Sequence, residues 1–103
     1  MRVVVLSTCG SRKEAQKIAG DILRRRLVAC VNIMPVTSYY RWKGKITVDR
    51  EYLILAKTRS EAFRKLKERI LALHTYQLPE IVSLKINEGY EKYLNWIDEQ
   101  VRV

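Results

Sequence analysis

Two long arms rich in β-branched residues dominate this sequence. Val28 to Tyr40 and Lys45 to Thr58 are separated only by Arg41-Trp42-Lys43-Gly44, which predicts an antiparallel hairpin. Each arm reaches twelve residues or more, whereas a strand of about five or six is typical. Pro35 removes one ladder donor midway, so a bulge or bend is expected near it. Beyond Pro35 the tip must project past the core of its own subunit, leaving Tyr39, Tyr40 and Trp42 nothing local to pack on. Arg41, Lys43 and Lys45 stand among those rings, so three uses compete: a nucleic-acid platform, a ligand pocket or a surface for another protein.

The remaining segments supply the partners of the hairpin. Val3 to Leu6 is a continuous apolar run that reads as a central strand covered on both faces. Ser11 and Glu14 form a capping box ahead of Ala15, Ile18, Ala19, Ile22, Leu23 and Leu27, whose spacing predicts a helix closed by Arg24, Arg25 and Arg26. Three cations in a last turn suit the negative end of the helix dipole and read as a solvated terminus. Ser60 is the expected N-cap of a second helix, lined by Phe63, Leu66, Ile70 and Leu73 and ending near His74. Ile81 to Ile86 predicts a fourth strand, and Tyr90, Tyr93, Leu94, Trp96, Ile97 and Val101 a final helix.

The order strand, helix, strand, strand, helix, strand, helix predicts an α+β fold. It is a ferredoxin-like βαββαβ sandwich with an extra C-terminal helix, and residues 1–103 form a single domain. Helices then cover one face of the sheet. The strands are apolar on both faces, and a monomer rarely exposes so large a patch, so further copies of the chain are the expected cover.

Composition narrows the function. The net charge of +9 is lopsided, with eleven Lys or Arg against three acids in residues 1–50 and nine against eight afterwards. Such an excess recruits anions or keeps a chain soluble. RNA-recognition sheets carry a Lys/Arg-Gly-aromatic signature on the third strand; here that strand is aliphatic, so no nucleic-acid partner is expected. The opening MRVVVLSTCG holds an apolar run far shorter than the roughly 20 residues of a membrane span and lacks the longer apolar region of a signal peptide, so a soluble, cytoplasmic chain without a membrane partner is expected. Cys9 and Cys30 are the only cysteines and His74 the only histidine. No nucleophile and base, zinc motif or glycine-rich phosphate loop is visible, so no enzyme and no required cofactor is expected.

The segments LVACVNI (Leu27 to Ile33), TSYYRWKGKI (Thr37 to Ile46), EYLILAKT (Glu51 to Thr58) and LHTYQLPEI (Leu73 to Ile81), with the closing GYEKYLNW, resemble the CutA family of divalent-cation tolerance proteins. The resemblance runs from Val3 to Trp96. It implies a tight homotrimer similar in plan to the PII signalling proteins, without a catalytic reaction, and a link to divalent metal ion response with copper as the named cation. The metal ligands it implies are a Cys at the end of the first strand and a His pair closing the second helix. Ser7 stands at the Cys position with Cys9 two residues on, and His74 is preceded by Leu73, so the metal candidates of this chain are His74 and Cys9. Tyr39, Tyr40 and Trp42 are then the trimer-locking residues, and Arg41, Trp42, Lys57 and Glu80 the expected lining of an intersubunit cleft. The alternative reading is a PII-like sensor binding a small anionic metabolite there.

Overall fold

At the tip of the hairpin the chain reverses over Lys43 and Gly44 alone, with φ of 51° and 78°. Positive φ at both central positions makes this a type I′ turn, whose twist matches that of the flanking strands. Gly44 adopts that conformation at no steric cost, while Lys43 does so against the preference of a side-chain-bearing residue. The computed structural model describes all 103 residues. The arms are β2 (Cys30–Trp42) and β3 (Lys45–Arg59), preceded by β1 (Arg2–Cys9) and α1 (Arg12–Arg24) and followed by α2 (Phe63–Leu73), β4 (Val82–Lys85) and α3 (Glu91–Gln100).

The bulge expected near Pro35 is not there. Pairing runs without a slip from Trp42 opposite Lys45 to Cys30 opposite Lys57. In a two-residue hairpin the flanking pair is hydrogen-bonded, and bonded and non-bonded pairs alternate from it. Pro35, opposite Tyr52, falls seven steps along, at a non-bonded position. Since β2 is the outer strand of the order β2-β3-β1-β4, its nitrogen faces away from the sheet and no ladder bond is lost.

All neighbouring strands are antiparallel, which gives the split β-α-β arrangement with α1 and α2 on one face. Alternation along the strands sends Val3, Val5, Ile54 and Ala56 into a core with Ala15, Ile18 and Ile22 of α1 and Leu66 and Ile70 of α2. Val4, Leu6, Leu53 and Leu55 take the opposite face, which neither α1 nor α2 covers. A smaller cluster docks α3 by Ile97 and Val101 against Ala29 and Ala62. Arg2 fastens the same helix through its Nε and Nη2, which donate to Asp98 at 3.0 and 2.7 Å.

Helix ends depart from expectation in three places. Ser11 Oγ accepts the Glu14 amide at 3.1 Å, but the Glu14 carboxylate turns instead to the amide and hydroxyl of Thr75. Ser60 does not cap α2; it begins a single 3₁₀ turn, Ser60–Ala62, and no side chain caps the helix that follows. The arginine triplet is also more than a solvated terminus. Arg26 adopts φ 58° as the left-handed residue of a Schellman motif, with Leu27 N–H bonded to Ile22 O and its own N–H to Leu23 O. Its guanidinium donates to the Gln100 carbonyl at 3.1 Å, satisfying the end of α3.

Two buried hydroxyls make opposite predictions. Thr58 Oγ1 donates to the Leu27 carbonyl at 2.7 Å, whereas Ser7 Oγ is buried without a partner. Thr58→Val is expected to lower unfolding free energy by about 1–2 kcal/mol and Ser7→Ala to raise it by about 1 kcal/mol, both read by denaturant titration. A third prediction concerns pH. Asp21 accepts from Arg69 Nε and Nη2, each at 2.8 Å, and bridges α1 to α2; that bond is the main reason its carboxyl falls from 3.8 to about 2. A lowered folded-state pKa contributes stability above the unfolded value that is lost as pH falls through the folded one. Asp21→Asn is therefore expected to flatten the stability profile between about pH 4 and pH 2, which acid titration of the wild type and the variant would show.

Candidate functional site

A concavity of about 610 Å³ lies where the hairpin rises above the core. Ser38, Tyr40 and Trp42 from β2, Asp49 and Glu51 from β3, and Thr8 from β1 reach it from the face away from α1 and α2. Its far wall is the segment after α2, through Tyr76, Leu78 and Glu80. The volume lies within the range of small-molecule sites.

The wall is held by hydrogen bonds that start at His74. Its side chain is fully buried, with Nε2 2.8 Å from the Thr8 carbonyl and Nδ1 3.1 Å from the Tyr76 amide. The carbonyl only accepts and the amide only donates, so the neutral ring carries its proton on Nε2. The Tyr76 ring then lies against Gly10, where an added Cβ would come 3.4 Å from the phenol oxygen. Tyr76 Oη donates to Glu51 Oε2 at 2.8 Å.

The chemistry of the cleft follows from burial. Glu51 is only 7% exposed, yet no ion pair of the chain includes it, Asp49 or Glu80. Burial, followed by the neighbouring carboxylate, raises the Tyr76 phenol above its ordinary value, so it remains a donor at neutral pH. Tyr40 hydroxyl likewise donates to Asp49, and that bond is the first cause of its own raised pKa. Two phenols thus orient two carboxylates, with Trp42 and Arg41 at the rim.

The structure separates the residues singled out from sequence. Arg41, Trp42 and Glu80 do line one cleft, together with Tyr39 and Tyr40. Lys57 does not. It lies further down β3, where its ammonium is 5.6 Å from the centre of the Tyr93 ring and 3.4 Å from Asn32 Oδ1, because its register opposite Cys30 is far from the tip. His74 spends both ring nitrogens on backbone groups, and Cys9 is fully buried with its thiol directed to the Ser11 carbonyl at 3.5 Å. Burial pushes that thiol up to about 11, which disfavours the thiolate a metal would need. No three His, Cys, Asp or Glu side chains come together in a cluster suited to a metal ion. Asp49, Glu51 and Tyr76 escaped the sequence reading. The available signal was Glu51 itself, a carboxylate at the same strand parity as Leu53 and Leu55.

A split β-α-β sandwich with a ligand-sized, carboxylate-bearing cleft beside its hairpin is the class that fold and site define. The chain matches the family described as CutA1 divalent ion tolerance protein over residues 3–100. It is 52% identical over 100 residues to the divalent-cation tolerance protein CutA of Thermus thermophilus, spanning 96% of this chain and 97% of that one. Against the CutA of Archaeoglobus fulgidus it is 40% identical over 101 residues, spanning 98% and 99%. The solved structure of the Thermus protein has a TM-score of 0.96 at 50% identity, covering 99% of this chain and all of that one. The Archaeoglobus structure, described as a periplasmic divalent cation tolerance protein, also has a TM-score of 0.96, at 39% identity and the same coverage. This chain therefore belongs to the CutA1 divalent ion tolerance family.

The Tyr76 to Glu51 bond is the testable joint of the cleft wall. Tyr76→Phe removes a donor from a buried carboxylate and is expected to cost about 1–3 kcal/mol, seen as a lower denaturant midpoint. An unchanged midpoint would mean that water replaces the phenol without loss.

Proposed function

We propose that this protein is a non-catalytic homotrimer, PII-like in plan, that serves divalent-cation tolerance with copper among its cations, and that the cleft beside the hairpin is a ligand site bordering the subunit interface. The observation that carries the assembly is the uncovered sheet face. Beyond Val4, Leu6, Leu53 and Leu55, that face holds Met34, Val82 and Leu84, which are 39%, 44% and 53% exposed in one chain. A face of that composition is stable in water only when covered. At about 3.3 Å per residue, β3 spans roughly 45 Å, comparable with the 44 Å longest dimension of the chain, so the hairpin tip stands clear of the core and can reach a neighbour. Tyr39, 72% exposed, together with Tyr40 and Trp42, would form that contact.

Non-catalytic action is supported by the commitments of the reactive groups: His74 is bonded at both nitrogens and Cys9 is held as a thiol. Because one chain gathers no three ligating side chains, a tightly held copper ion would take donors from more than one subunit. The unpaired Cys9 and Cys30 support a reducing, cytoplasmic setting. The anion-sensing alternative fits the cleft poorly, since Asp49, Glu51 and Glu80 face a single cation there, Arg41, and an anion needs charge-assisted donors.

Light scattering at low micromolar concentration should give three times the 12.1 kDa of one chain; a mass of one chain would end the proposal. Trp42→Ala is expected to weaken assembly by about 2–4 kcal/mol, as truncation of an interfacial indole does, measured by sedimentation across a dilution series.

A further inference from the structure

We infer that the outer face of α1 and α2 docks on the phosphate backbone of duplex DNA without reading its sequence. The net charge of +9 is concentrated there. Residues 11–27 and 63–74 hold ten Lys or Arg against three acids, and the rest of the chain ten against eight. Two of those three acids are engaged inside the fold: Asp21 is held by Arg69 and Arg25, and Glu14 accepts from Thr75. Only Glu68, exposed on α2, is left uncommitted. The sheet face is the one that assembly would cover, so the helical face is open in one chain or in three.

The geometry suits a rigid, evenly charged rod. Lys13, Lys17 and Arg24 are exposed and recur at four and seven residues, which sets them on the side of α1 opposite the buried Ala15, Ile18 and Ile22. The Arg24 guanidinium lies back over Gly20, its Nη1 3.1 Å from where a Cβ would stand. None of the three joins an ion pair. Like charges four residues apart oppose helix formation, so Lys13 beside Lys17 is a cost that an external anion relieves. The ridge runs about 16 Å at 1.5 Å per residue, and a duplex offers one negative charge about every 1.7 Å of its axis. At its far end a groove of about 520 Å³ continues the charge, lined by Arg25, Lys65, Arg69 and Arg102. Asp21 holds Arg25 through Nε alone and Arg69 through Nε and Nη2, which leaves the other guanidinium nitrogens free to donate to phosphate.

Two other polyanions fit less well. A membrane-surface helix inserts its apolar face, but those of α1 and α2 are spent on the core. Single strands need rings on which bases stack; α1 has no aromatic residue, and Phe63, the only one in α2, packs on the core. The absence of a nucleic-acid partner expected from the aliphatic third strand concerns the sheet, and docking on a backbone by helices needs no stacking face.

The test is fluorescence anisotropy of a labelled short DNA duplex of mixed sequence, titrated with the intact protein at rising salt. Contacts from Lys13, Lys17, Arg24, Arg25, Lys65 and Arg102 predict a log–log salt slope of about −5, a loss of roughly a thousandfold between about 50 and 200 mM salt. Lys13→Glu with Lys17→Glu should weaken binding about tenfold or more. Lys43→Glu with Lys92→Glu, the same change of charge away from these helices, should leave most of it. Lys65→Ala should make the slope shallower by about one. No binding at the lower salt, a slope shallower than about −2, or equal loss in both charge-reversed variants would overturn the inference. So would tighter binding of a single strand, displacement of the duplex by polyglutamate at equal charge, which would make an acidic protein the partner, or binding to phosphatidylglycerol vesicles that the duplex does not displace.

Discussion

The unbroken ladder between β2 and β3 is the constraint from which the rest of the molecule follows. Its register is set at one end by a two-residue turn with positive φ at both Lys43 and Gly44, and a slip of one residue would send every side chain of the hairpin to the other face. With the register held, Ile33 and Ile54 pair on the helical side while Met34 and Leu53 pair on the open side. The same parity brings Tyr40, Trp42, Asp49 and Glu51 to the open side near the tip. Core, open apolar face and cleft are consequences of one alignment.

The core and the cleft use polar groups differently. Around the core, polar side chains join elements: Asp21 ties α1 to α2 through Arg69, Arg26 and Arg2 hold α3, and Thr58 holds the chain entering β2. Around the cleft, phenols hold carboxylates that take part in no ion pair, so their negative charge is oriented but not neutralised. The first arrangement closes structure on itself. The second leaves Asp49 and Glu51 oriented toward the open side of the sheet.

Much of the fold was legible because hydrophobic period and turn chemistry act locally. The period-two arms, the 3.6-residue period of α1 and α2 and the Gly44 turn each follow from neighbouring residues, and the order of elements then admits few topologies. Local rules misled where context settled the matter. Pro35 suggested a bulge because a missing donor matters in a central strand, but it lies on the outer strand at an outward-facing nitrogen. Ser60 suggested a cap, but the chain takes a 3₁₀ turn before α2 begins.

The amino-acid sequence by itself determined the element order, the overlong hairpin, the apolar character of both sheet faces and, through its resemblance, the family. Tertiary structure alone decided which side chains share the cleft. Tyr76 and Glu51 are 25 positions apart, and His74 reaches Thr8 across 66. Contacts at such separation depend on how a loop settles on a sheet, and no periodicity records that. The same geometry removed Lys57 from the cleft and committed His74 to backbone partners, since a residue's chemistry is written in its type while its availability depends on what the folded chain places beside it.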